Sequence, residues 1–185
     1  MIDYSVLKTR KNSRILTTTS VKDFVYRCSS NERLEALTEL VNNSEYRMSW
    51  VTYYRCLCEA YEHSDGIDID LADELFGEFE DEFWVGLADK KSQKFYGELP
   101  DVVTIYRGCT KAEAESKNYG VSWTTDKKVA EFFAHEYIRR DTDNGVVLEA
   151  QINKSLICAV ILGRNEKEVV IPYADDNIRN VKVIE

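Results

Sequence analysis

Residues 99–108 read Leu-Pro-Asp-Val-Val-Thr-Ile-Tyr-Arg-Gly, and here the character of the chain changes. Before this stretch apolar residues recur at helical spacing. Within it β-branched and aromatic residues run together, which is strand composition. Asp101–Tyr106 is therefore predicted as the first strand of a sheet in the C-terminal half, with Arg107-Gly108 at its end.

Toward the C-terminus, Gly120–Thr124 (GVSWT) is a second extended piece. Thr125 or Asp126 caps a helix predicted over Lys127–Arg140, whose inner face carries Val129, Phe132 or Phe133, and Tyr137. Asp141-Thr-Asp-Asn-Gly145 is turn chemistry. Strands are predicted at Val146–Ile152, Leu156–Leu162 and Glu168–Ile171, and Val181–Ile184 closes the chain. Val146, Leu148, Ala150 and Ile152 alternate with Val147, Glu149 and Gln151, the pattern of a half-buried strand.

Toward the N-terminus the chain reads as helices. Ser20-Val-Lys-Asp23 and Ser29-Ser-Asn-Glu32 have the Ser-x-x-acid form of a capping box. Leu34, Leu37, Leu40 and Val41 follow the second box as an apolar stripe. Trp50, Tyr53, Tyr54, Leu57, Ala60 and Tyr61 mark a third helix that ends near Ser64-Asp65-Gly66. Leu71, Leu75, Phe76, Phe79, Phe83 and Trp84 predict a fourth, acidic helix from Asp68 to about Leu87. The fold class is α+β: a helical region over 1–100 packs on a mixed β-sheet core over 101–185, and the two form one compact domain.

The chain has 185 residues, 44% hydrophobic and 31% charged, with only two prolines and eight glycines, which suits a compact soluble protein with little linker. A formal net charge of −9 disfavours a broad nucleic-acid footprint, though a local basic strip could override it. The acidic run Asp65–Asp89 reads first as a solvated helical surface, and Lys8–Arg14 (KTRKNSR) is basic. Five cysteines (Cys28, Cys56, Cys58, Cys109, Cys158) at irregular spacing, with no apolar leader over Met1–Leu16 and no run long enough for a membrane span, point to reduced thiols in a cytoplasmic protein. No metal is expected. His63 and His135 are the only histidines, Cys56 and Cys58 face different directions on a helix, and the Asp65–Phe76 stretch lacks the glutamate a calcium loop needs.

Three short segments are left to carry chemistry. Tyr106-Arg107-Gly108, taken alone, is a strand-terminal arginine beside a turn glycine. In Ser122-Trp123-Thr124 an extended backbone puts the two hydroxyls on one face and Trp123 on the other, toward the core. Glu166-Lys167-Glu168 follows Gly163-Arg164-Asn165 at a strand entrance, and if extended it projects both carboxylates to one side.

In this order, over about Val102 to Ile184, the segments resemble the mono-ADP-ribosyltransferases of the Arg-Ser-Glu class, which includes bacterial toxins and small phage-encoded enzymes. The resemblance rests on the aromatic-Arg-Gly strand, the Ser-x-Thr strand followed by Val129, Ala130 and Phe133 on a helix, and Glu-x-Glu-Val-Val-Ile-Pro before a final strand. It implies an enzyme that releases nicotinamide from NAD and transfers ADP-ribose to a protein, with arginine as the acceptor because Glu166 stands at the first glutamate position. It further implies that Arg107 holds the NAD pyrophosphate, where a guanidinium fork suits phosphate. Gly108 would approach the nicotinamide amide, Ser122 would fix the rotamer of Glu168, and Thr124 would brace that strand. Glu168 would stabilise the cation-like ribose, and Glu166 would orient and deprotonate the acceptor. Phe133, with Phe132 and Tyr137 as alternatives, would cover the nicotinamide, and Arg139 and Arg140 could assist with phosphates. The sequence departs from the family's Ser-Thr-Ser at Trp123 and Thr124, and the spacing from Arg107 to Ser122 is shorter than in many toxins. An NAD glycohydrolase, a transferase acting on a nucleic acid or small molecule, and an idle binding module on the same scaffold stand as alternatives.

Overall fold

The structure is a computed structural model, which describes residues 7, 9, 14–137 and 144–184. Arg139, Arg140, most of the basic run Lys8–Arg14 and most of the turn before Gly145 lie outside the described residues. The chain divides into two compact units, Met1–Leu71 with Gly86–Asp89, and Ala72–Val85 with Lys90–Glu185. The division falls well before Pro100, so two helical segments belong with the sheet. No helix of the described residues is long and apolar enough to cross a membrane.

In the first unit, α1 (Thr18–Val25) and α2 (Arg33–Asn42) pack on α3 (Trp50–Glu62). The predicted caps are displaced. Thr17, not Ser20, caps α1, accepting from the Ser20 amide at 3.2 Å, while the Ser20 hydroxyl turns back to the Thr17 carbonyl. Thr17 offers the same hydroxyl one turn earlier, and the helix starts there. Ser29 meets Glu32 through its side chain at 2.7 Å, and α2 begins after that pair with no side-chain cap. The α3 stripe is as read: Tyr53, Tyr54, Leu57, Ala60 and Tyr61 are buried, and only Trp50, at the helix start, is 53% exposed.

The second unit contains the sheet. The long acidic helix is shorter than predicted. α4 (Ile69–Gly77) stops, Asp81 and Glu82 take left-handed backbone at φ 56° and 63°, and a 3-10 turn follows at Phe83–Gly86. Trp84 is buried there and donates from its indole to the Ile157 carbonyl at 2.6 Å. α5 (Lys90–Glu98) then packs Tyr96 edge-on against Trp84.

The strands are β1 (Val102–Thr110), β2 (Ser122–Thr124), β3 (Gly145–Asn153), β4 (Ala159–Ile161), β5 (Glu168–Val170) and β6 (Lys182–Val183), in the order β4-β5-β2-β1-β3-β6. Every strand pair is antiparallel, which corrects the expected mixed sheet. β1 passes straight through Arg107-Gly108, where a strand end was predicted, and pairs with β3 in unbroken register from Val102↔Asn153 to Thr110↔Gly145. β1 and β2, by contrast, meet at a single residue pair, Tyr106↔Thr124. The sheet is thus two three-stranded halves hinged at one point.

Three helices were not marked in the sequence, α5, α6 (Lys111–Ser116) and α8 (Ala174–Asn177). Between β2 and β3, α7 (Lys127–His135) lies on the β1–β3 half, and of the two caps the sequence offers, Thr125 and Asp126, it is Asp126 that caps it. Its inner face is not the aromatic one. Ala130 and Ala134 are buried against Val147, with Tyr106 packed beside them, while Phe132 is 44% exposed. The reason is close approach. A Cβ on Gly108 would stand 2.1 Å from the Ala130 carbonyl oxygen, and one on Gly145 would stand 1.8 Å from that of Ala134. Glycines below and alanines above let helix backbone rest on sheet backbone, so there is no room for Phe or Tyr on that face.

Candidate active site

Alternation from the Tyr106↔Thr124 pair sorts the polar residues by face. Ser122, Thr124 and Glu168 share the face of Tyr106 and Gly108, whereas Arg107, Trp123 and Val169 belong to the other. Trp123 is buried and packs edge-on with Tyr119, as an inward residue of this strand should.

Ser122 Oγ donates to Glu168 Oε1 at 2.5 Å. The two are diagonal neighbours, since Ser122 pairs with Val170 and Glu168 with Thr124, a spacing that the long glutamate side chain spans. Glu168 is only 4% exposed. A carboxylate so enclosed acts through a low local dielectric, where its field on a neighbouring positive charge is little screened.

The approach to Glu168 is stitched from both sides. Thr124 Oγ1 donates to the Glu166 carbonyl at 2.6 Å and accepts from the Asp126 amide at 3.0 Å. Lys167 Nζ pairs with Asp126 at 2.9 Å, and that bond, first among the causes, holds the Asp126 carboxyl below its usual range. Glu166-Lys167-Glu168 is not extended, since Lys167 sits at φ 47°, with Asn165 before it at φ 60°. The turn nevertheless brings the carboxylates together. Arg164 Nη2 lies 3.3 Å from Glu166 Oε2 and 3.8 Å from Glu168 Oε2.

Arg107 is committed differently from its expected role. Its Nε donates to Glu113 Oε1 at 2.6 Å and its Nη1 to the Ser122 carbonyl at 2.5 Å. It therefore bridges the gap where β1 and β2 diverge and is 11% exposed in its side chain. The remaining nitrogen, Nη2, lies over Gly120, where a Cβ would be 2.8 Å away. Arg107 holds the main chain of the serine whose hydroxyl holds Glu168.

Glu113 is the residue that the sequence reading missed. It lies on α6, with Thr110 as the N-cap accepting from its amide at 3.2 Å. The signal was present, for Thr110-Lys-Ala-Glu113 has capping-box form. Of the other expected cofactor contacts, Gly108 serves the close approach of α7, and Phe133 packs with Phe132 and Tyr137 at ring-centroid distances of 5.5 and 5.1 Å. Neither is brought to the Ser122–Glu168 pair by any of these contacts. All five cysteines are thiols and not disulfides, and burial pushes the Cys56 and Cys158 thiols up to about 12, so neither is a ready nucleophile. Among the described residues no group of three His, Cys, Asp or Glu side chains is arranged to hold a metal.

Compared with family models, curated proteins and solved structures, the chain finds no match.

Proposed function

We propose that this chain cleaves the nicotinamide–ribose bond of NAD and transfers the ADP-ribose to an arginine side chain of a protein. The observation that carries the reading is the Ser122–Glu168 hydrogen bond. Residues 46 positions apart, singled out by separate motifs, join in a part-buried hydroxyl–carboxylate pair, with Arg107 tied to the same serine and Glu166 beside the same arginine as Glu168.

In this reading Glu168 stabilises the positive charge that develops on the ribose as nicotinamide departs. Its rotamer is fixed before the substrate binds, so little reorganisation accompanies the reaction. Ser122 sets that rotamer. Arg107 is a positioning residue that keeps Ser122 at the junction of the two half-sheets, and Nη2 is the nitrogen it can offer a phosphate without breaking its bonds to Glu113 and Ser122. Glu166 receives the acceptor guanidinium and takes its proton. The partly exposed Glu166 and the buried Glu168 suit an acceptor arriving from solvent and an electrostatic partner shielded from it.

The test is incubation of the pure protein with NAD labelled in the adenine ring, with and without a cell lysate, reading nicotinamide release and protein-bound label. Release of nicotinamide and label on arginine, both lost in Glu168→Gln, are expected. Label on cysteine or a nucleobase with none on arginine would overturn the acceptor, and intact NAD would overturn the reaction.

A further inference from the structure

We infer that Arg164 is an acceptor of this chain's own reaction, so that the protein modifies itself at that residue. The inference rests on the proposed transferase activity. Its basis is that an arginine already occupies the place that the reading gives to the incoming one. Arg164 Nη2 is within 4 Å of both carboxylates, at 3.3 Å from Glu166 and 3.8 Å from Glu168.

The other arginine at the site is differently placed. Arg107 is enclosed, its charge spent on Glu113, with its Nε and Nη1 already donated. Arg164 is half exposed, on the turn between β4 and β5, and reaches the site with its guanidinium. The left-handed backbone at Asn165 and Lys167 folds the chain back on itself, and the Thr124–Glu166 and Lys167–Asp126 bonds hold it so. Arg164 is therefore tethered near the reacting centre and pays no cost of association, which favours an intramolecular nucleophile over one from solution.

The step balances with NAD as the only co-substrate. The bond from ribose C1′ to the nicotinamide nitrogen breaks, and its electron pair leaves with neutral nicotinamide. The Arg164 Nη2 lone pair forms the new bond to C1′ as Glu166 takes one guanidinium proton, which passes to water. The products are ADP-ribosylated Arg164, nicotinamide and one proton, with no change in oxidation state.

The experiment incubates the full chain with NAD and no other protein. Nicotinamide release is followed in the same tube from which tryptic peptides are mapped by mass spectrometry. Expected are nicotinamide release, an ADP-ribose adduct on Arg164, loss of that adduct in Arg164→Gln, and an unchanged fractional rate of modification when the protein is diluted. Nicotinamide release with no adduct on Arg164 overturns this inference and leaves the transferase reading standing. An adduct whose fractional rate falls on dilution overturns the intramolecular route. If no nicotinamide is released, both readings fall together.

Discussion

β1 and β3 run together over nine residue pairs, whereas β2 shares three with β5, and β5 three with β4. The first half owes its cohesion to backbone: a long ladder, with α7 laid on Gly108 and Gly145 so closely that no side chain fits between. The second half is short and is held by side chains, namely Ser122 to Glu168, Thr124 to the Glu166 carbonyl, and Lys167 to Asp126. The halves meet at Tyr106↔Thr124, and the polar residues gather beside that hinge. A junction where backbone pairing lapses leaves main-chain groups to be satisfied, and Arg107 meets one of them, the Ser122 carbonyl. One half is scaffold, and the other carries the exposed turn and the carboxylates.

The largest effect should come from breaking the scaffold. Gly108→Val would place a Cβ 2.1 Å from the Ala130 carbonyl, an atom that cannot swing aside as a side chain would. Displacement of α7 should cost about 3 kcal/mol or more, the upper range for overpacking. Thermal unfolding followed by circular dichroism would show it, and an unchanged midpoint would contradict the close packing of α7.

Substitution at the carboxylates should separate activity from stability. Glu168→Gln keeps an acceptor for Ser122 and removes the charge, so the fold should persist while NAD cleavage falls by roughly 100- to 1,000-fold. Glu166→Gln should reduce transfer to arginine well below its effect on hydrolysis of NAD by water. A cationic nucleophile needs a carboxylate to hold and deprotonate it, and water needs less. Equal loss of both activities would assign Glu166 to NAD and not to the acceptor.

Much of this contrast was legible in the sequence, and its gaps have physical causes. The alternation in Val146–Ile152 gave β3, and the hydroxyls flanking Trp123 gave the face of β2. The pairing of Ser122 with Glu168, implied by the resemblance, is present in the structure. What failed were positions where local chemistry suggests one conformation and packing imposes another. Arg107-Gly108 reads as a turn, yet the glycine is there to admit a helix, so β1 runs on. Helix faces are read from large apolar residues, and α7 packs through alanine, which such a reading passes over. The end of α4 falls on Gly77, a stop signal that the long aromatic stripe overrode, whereas left-handed Asp81, Glu82 and Lys167 beyond it are non-glycine residues whose conformation nothing in the sequence announces.

A smaller effect is expected at the stitching. Thr124→Val preserves shape while removing one bond to the Glu166 carbonyl and one from the Asp126 amide. Both partners are left without that oxygen, at a cost of about 1–3 kcal/mol. The loss should appear as a lower urea midpoint with an unchanged slope, and in faster amide exchange around Asp126. A drop as large as that of Gly108→Val would erase the distinction between scaffold and stitched half.

The smallest effect is the pH dependence of the Asp126–Lys167 pair. The bond to Lys167 holds the Asp126 pKa below its ordinary value of about 4, so the folded state binds its proton less readily than the unfolded chain. A carboxylate lowered on folding contributes stability above its unfolded pKa, and this is lost as pH falls through the folded value. The window is therefore acidic, from just above pH 4 downward, by roughly the ordinary carboxylate pKa. Both side chains are partly exposed, so screening limits the contribution to about 1 kcal/mol or less. Asp126 also caps α7 by accepting from the Lys128 amide, and asparagine retains that acceptor. Asp126→Asn should thus remove the acid-sensitive part alone, bringing the two proteins' stabilities together as pH falls below 4 and leaving the wild type ahead by a constant margin at neutral pH. A constant difference at every pH, acid included, would mean that the aspartate acts only as a cap and that Lys167 contributes nothing to the turn that presents Glu166 and Glu168.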